Sequence, residues 1–175
     1  MPHQPQFITD PFEFARHSSV LNGEFDARHL PRLAELLQGT DAWRRGTPQS
    51  VGFKLAGVQI DDKLFLDVVA TANLTFQCQR CLEDVCCTVQ ANARLLLVPK
   101  GEALPDEGLE VDEFDPIHAE RDFDVMGAVE EELLLALPLA PTHDSCSAPA
   151  VQENGDDRSP FALLKGLKTS DRRES

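Results

Sequence analysis

The sequence predicts an α+β protein built on an antiparallel β-sheet, open or curled into a partial barrel, with helices over residues 26–37 and 124–137 flanking it. The first observation is a period of two. Leu64, Leu66, Val68, Ala70, Ala72, Leu74, Phe76 and Cys78 hold every even position, and from Val85 the apolar set continues on odd positions through Cys87, Val89, Ala91, Ala93, Leu95 and Leu97. Successive side chains point to opposite faces of a strand, so each run reads as a long half-buried strand. The second is the joint Cys78-Gln79-Arg80-Cys81-Leu82-Glu83-Asp84, too short for a parallel crossover, which makes the pair an antiparallel hairpin. The third is helical spacing: Leu30, Leu33, Ala34 and Leu37 fall at i, i+3, i+4 and i+7, and Val125, Met126, Val129, Leu133 and Ala136 share one face later in the chain.

The remaining elements follow from local chemistry. Asp10-Pro11 starts a short helix through Phe14 and Ala15, because Asp can cap it and Pro at its first position sacrifices no needed donor. Asn22-Gly23 signals a turn between Val20-Leu21 and Glu24-Phe25, a small hairpin. Residues 26–37 form the first amphipathic helix, ending before Gly39, and residues 38–50 read as a loop carrying Trp43, Arg44 and Arg45. Val51, Phe53 and Leu55 alternate toward Ile60, and Asp61-Asp62 turns the chain into the long strands. Lys100 to Ile117, rich in Pro, Gly and acids, is a loop or irregular edge segment. Asp122 or Asp124 caps the second helix, whose apolar face Leu134, Leu135 and Leu137 widen, and Pro138 stops it. Residues 1–146 thus make a single domain, 147–159 have the composition of a flexible linker, and Pro160 to Lys168 read as a short amphipathic helix before a basic tail.

Composition bounds the function. At 175 residues the chain can bury a sizeable core without disulfides or metal, and its five cysteines without a secretion signal read as reduced thiols, metal ligands or redox groups. No apolar run approaches the ~20 residues that span a bilayer, and a cytoplasmic location is expected. The formal charge is −14, but residues 100–135 supply −11 of it with 13 acidic and 2 basic side chains. An acidic belt on a nearly neutral body binds RNA weakly by itself and suits a basic protein partner, unless it is only a solvated loop. No nucleophile elbow, phosphate-cradling Gly loop or HExxH motif occurs, so neither catalysis nor a small-molecule substrate is expected.

Cys78-x2-Cys81 has zinc-knuckle spacing, and His143-x2-Cys146 can supply the second pair of a tetrahedral Zn2+ site that staples the hairpin tip to the loop after the helix. The competing reading has Cys78 as a core-facing strand residue and His143 as a loop residue. A thioredoxin-like role needs a helix N-terminus beside the first cysteine, which a strand-to-strand turn does not offer. Cys86 and Cys87 point to opposite faces and read as packing residues. Arg80 at the tip, with Trp43, Arg44 and Arg45, can form a small phosphate-contacting and base-stacking surface, although Trp43 could equally cover the core. Glu130, Glu131 and Glu132 point around their helix rather than converging, so they read as a solvent face for a partner and not as a catalytic carboxylate pair.

Two of these motifs together resemble a known family. Cys78-Gln79-Arg80-Cys81-Leu82-Glu83 resembles the C-x-R-C motif of the YceD family of large ribosomal RNA subunit accumulation proteins. Glu130-Glu131-Glu132-Leu133-Leu134-Leu135-Ala136-Leu137-Pro138-Leu139-Ala140-Pro141-Thr142-His143 is similar to that family's acidic helix running into a leucine-proline-x-x-proline-x-histidine stretch, and Pro160-Phe161-Ala162-Leu163-Leu164 also matches. The resemblance covers nearly the whole chain. It implies a bacterial cytosolic protein linked to synthesis, processing or stability of large-subunit (23S) ribosomal RNA, a non-enzymatic ribosome-biogenesis factor. Its partners would be that RNA or its precursor, directly or indirectly, and a basic ribosomal protein or assembly factor held by the belt. The alternative is a zinc-stapled protein–protein adaptor without RNA contact. Many relatives carry extra cysteines in the second region, which favours metal; here that region offers only His143 and Cys146.

Overall fold

A computed structural model describes residues 7–105 and 114–149. The expected C-terminal helix, most of the linker and part of the acidic belt lie outside the described residues. The chain runs β1 (Phe7–Ile8), α1 (Pro11–Arg16), β2 (Val20–Asp26), a 3-10 turn (Ala27–His29), α2 (Pro31–Leu37), α3 (Asp41–Arg44), β3 (Ser50–Ile60), β4 (Lys63–Gln77), β5 (Asp84–Pro99), β6 (Asp115–Ala119), β7 (Phe123–Asp124) and α4 (Val125–Leu135). The main sheet has the order β2-β3-β4-β5-β6, and β2 and β6 remain its edges, so it is open and not a closed barrel. Strands β2 to β5 are antiparallel, and β1 pairs separately with β7.

The period of two in the sequence is the period of burial. Leu66, Val68, Ala70, Ala72, Leu74 and Phe76 of β4 face inward beside Val51, Phe53 and Leu55 of β3 and Val85, Val89, Ala91, Leu95 and Leu97 of β5. Helices α1, α2 and α4 cover this face. The α+β expectation therefore holds, with β4 and β5 as its hairpin. Asp10 caps α1 by accepting the N–H groups of Phe12 and Glu13. Helix α1 then approaches β3 so closely that a Cβ on Gly57 would lie 2.4 Å from the Phe14 carbonyl oxygen, which only glycine allows. On the outer face Phe65, Leu96 and Val98 form a separate cluster with Val58 and Phe114, which the alternation did not announce. Among the described residues no helix is long and apolar enough to cross a membrane.

Several elements correct the sequence reading. Asn22-Gly23 is not a turn: β2 runs through it, with Asn22 opposite Lys54 and Gly23 opposite Phe53, because β3 supplies backbone partners for all seven residues. The helix expected over 26–37 is divided, since Pro31 pushes Leu30 out of helical conformation; a 3-10 turn precedes it and α2 follows. The loop expected over 38–50 contains α3. Of the two alternatives for Lys100 to Ile117, the end of the segment takes the edge one, as the regular strand β6, which runs parallel to β5. Asp124 is the cap of α4, and the helix ends at Leu135, whose side chain is 78% exposed and adds nothing to the buried face. Cys86 is exposed and not a packing residue.

The glutamate face needs the largest correction. Glu130 is only 4% exposed, so it is not part of a solvent-facing belt. Its Oε1 accepts the Leu33 N–H at 3.0 Å and its Oε2 accepts from Arg32 Nε at 3.3 Å. Helix α2 has no side-chain cap of its own, and Glu130 supplies one from α4, tying the two helices together. Glu131 is exposed, as expected.

Candidate metal centre

Strand β4 ends by carrying its inward alternation one residue further, which buries Cys78 completely. The chain then turns: the Cys78 N–H donates to the Glu83 carbonyl at 2.8 Å, and the Leu82 N–H donates back to the Cys78 carbonyl at 3.0 Å. Leu82 closes the turn at φ 67°, a left-handed conformation that disfavours a bulky side chain, and leaves that side chain 57% exposed at the tip. The turn aims Cys81 back toward Cys78 and directs the Arg80 N–H at the Cys78 sulfur, 3.4 Å away.

The segment after α4 docks onto this tip through three hydrogen bonds. The Gln79 N–H donates to the Pro141 carbonyl at 2.9 Å, Arg80 Nη1 donates to the Cys146 carbonyl at 3.2 Å, and His143 Nε2 donates to the Asp84 carbonyl at 3.1 Å. A carbonyl can only accept, so Nε2 carries a proton, and Nδ1 is the ring nitrogen whose lone pair can face a metal. Nδ1 lies 3.3 Å from Cys81 Sγ, and Cys78 Sγ lies 3.7 Å from Cys146 Sγ. The four donor atoms of Cys78, Cys81, His143 and Cys146 all lie within 4.8 Å of one another. Tetrahedral zinc with Zn–S of about 2.3 Å and Zn–N of about 2.0 Å has S–S edges near ~3.8 Å and S–N edges near ~3.5 Å. The observed separations and the donor set are compatible with zinc.

The electrostatics suit thiolates. Burial alone would raise the Cys78 thiol, but N–H groups of Cys81, Arg80 and His143, with a contribution from the Cys81 thiol, together lower it to about 5. At Cys81 the Glu83 N–H lowers the thiol, yet desolvation and the neighbouring Cys78 and Cys146 outweigh it, and the net shift is upward. One sulfur of the cluster is thus readily ionised, and a second negative charge beside it is resisted unless a cation is shared. Cys86 and Cys87 do not join the cluster, and burial together with Cys86 pushes the Cys87 thiol up.

Asp84 links this centre to α3. While its carbonyl accepts from His143, its carboxylate accepts the N–H groups of Asp41 and Ala42 at 2.9 and 2.8 Å. Helix α3 has its own N-cap in Thr40, whose hydroxyl accepts the Trp43 N–H at 3.2 Å, but no local pattern announces that residue 84 takes up the first two N–H groups of the helix, so the sequence does not reveal Asp84 as a site residue. Arg45 sits 3.8 Å from Asp84, and Arg44 pairs with Asp41. Arg80, Arg44 and Arg45 are all exposed around this junction. Trp43 is half-buried, packs on the core and carries the Arg28 guanidinium 4.9 Å above its ring, so the ring is engaged within the fold. Glu131 stands apart on α4, lining a cleft with β6 and β7.

Comparison with known proteins agrees with the motif geometry. The family model described as large ribosomal RNA subunit accumulation protein YceD matches residues 66–168, more than half of the chain and a span in which all four clustered donors lie. A relative named large ribosomal RNA subunit accumulation protein YceD, from Haemophilus influenzae, is 31% identical over 180 residues, covering 91% of this chain and 93% of its own length. No solved structure matches. With the Cys-x-Arg-Cys turn, the docked Leu/Pro-rich segment and both comparisons in agreement, the chain belongs to the YceD family.

Proposed function

We propose that this protein is a non-enzymatic, cytoplasmic ribosome-biogenesis factor that supports synthesis, processing or stability of 23S ribosomal RNA. The family match carries this reading. In its mechanism Cys78, Cys81, His143 and Cys146 hold one Zn2+, which fixes the hairpin tip against the segment after α4. Arg80, with Arg44 and Arg45 across Asp84, then presents exposed guanidinium groups to phosphates, while Trp43 packs on the core with Arg28 over its ring. The belt, through Glu131 and not Glu130, receives a basic ribosomal protein or assembly factor. Neither a membrane nor a small-molecule substrate enters this reading.

The experiment is complementation. Cells depleted of the protein should lose large-subunit relative to small-subunit ribosomal RNA, and the wild type should restore it, whereas a variant with Arg44→Ala, Arg45→Ala and Arg80→Ala should not. Full rescue by that folded variant would remove RNA contact from the mechanism. One observation favours the second reading, a protein–protein adaptor: Arg44 and Arg45 already face Asp41 and Asp84 on a chain of net charge −14. Ultraviolet crosslinking in cells separates the two, since an adaptor leaves no ribosomal RNA footprint.

A further inference from the structure

Between α4 and the strands β6 and β7 lies an open cleft of about 500 Å³. Its floor is apolar, with Leu95, Ile117 and Phe123, and Leu135 stands exposed at its mouth. Its rim is acidic, with Asp115, Glu131 and Glu132. Desolvation, then Asp115 and Glu131, push the Glu132 carboxyl up, as expected where carboxylates crowd without a counter-charge. An apolar trough edged by acids calls for an amphipathic segment edged by bases.

The chain carries such a segment. Phe161, Leu163, Leu164 and Leu167 supply apolar side chains; in a helix Lys165 lies just outside that face, and Lys168 lies close to its edge between Leu164 and Phe161. The described structure ends at residue 149, and the eleven residues to Pro160 can span up to about 36 Å, enough to return to α4. The family match also runs through residue 168, so the segment belongs to the family's shared unit whereas residues 169–175 do not.

From these observations we infer that the acidic cleft of α4, β6 and β7 is the docking site for the protein's own segment Pro160 to Lys168. A short tether provides an effective concentration of about 1 mM, so even an intrinsic affinity of about 100 μM leaves the segment docked roughly ten to one. The inference does not rest on the ribosomal reading, but the segment takes up Glu131, so a basic partner at the belt would have to displace it.

Amide hydrogen exchange on the full chain tests it. Amides of 161–168 should exchange about tenfold more slowly than in a free peptide of the same sequence, following that ten-to-one ratio. The protection should survive dilution and vanish in Glu131→Lys/Glu132→Lys, while β4 and β5 keep theirs. Leu164→Asp, a change in the segment alone, should speed exchange in α4. Peptide-like exchange in the wild type overturns the inference. So does protection that ignores the cleft variant, which means docking elsewhere, or protection that fades on dilution, which means a second copy.

Discussion

Replacing Cys81 by Ser probes the centre most directly. Leu139 to Cys146 has neither helix nor strand, and ordering these eight residues costs about 8–16 kcal/mol of backbone entropy. The three hydrogen bonds to carbonyls and the two sulfur contacts that dock the segment on the tip contribute about 3–5 kcal/mol in total. They fall short alone, whereas an apparent zinc contribution of about 10–16 kcal/mol closes the gap. The wild type should therefore purify with one zinc per chain by elemental analysis, and Cys81→Ser should lose nearly all of it. Amides of residues 142–146 should become labile in the variant or with a strong chelator, while β3 and β4 stay protected. Cys86→Ser, outside the cluster, should behave as wild type. A wild-type protein that neither carries nor takes up zinc, or a segment whose exchange ignores the chelator, would refute the reasoning.

Glu130→Ala should destabilise the fold by about 1–3 kcal/mol, because it strips the cap from α2 and leaves the buried Leu33 N–H unpaired; urea denaturation measures it, and a change below about 0.5 kcal/mol would dismiss the cap. Leu82→Gly relieves a left-handed backbone worth about 1–2 kcal/mol, of which the freer unfolded chain takes back roughly half, so thermal melting should show equal or higher stability with zinc retained. Glu132 favours its neutral form in the folded state, so its contribution is present below the unfolded carboxyl value and is lost as pH rises through the higher folded one. Glu132→Gln should accordingly raise the melting temperature at neutral pH by about 1–2 °C, as expected for a half-exposed group worth no more than about 0.5 kcal/mol, and should do nothing near pH 4; an equal effect at both would contradict this.

What could be read in advance was what repeats along the chain. The alternation from Leu64 to Leu97 specified two strands, their faces and the hairpin, because burial of one face must follow a period of two. The x2 spacings of Cys78/Cys81 and His143/Cys146 identified both halves of the cluster, although only the fold, which brings Cys81 to His143 and Cys78 to Cys146, shows that they meet. The misses are places where a distant residue overrides local preference. Gly23 is held in a strand by Phe53, the first two N–H groups of α3 are taken up by Asp84 beside the local cap Thr40, and Glu130 is taken into the interior by the Leu33 N–H. Acid-rich composition on α4 suggested solvent for all three glutamates, and nothing local marks the one that another helix needs.

The donors of the centre are separated by 62 residues between Cys81 and His143 and 68 between Cys78 and Cys146. Because the ribosome delivers a chain from its amino end, the strand hairpin can close well before His143 emerges, leaving its thiol pair waiting half-built. On the proposed zinc reading, ion capture becomes the closing act of maturation, and a nascent chain that stalls before Cys146 is left with an exposed bend.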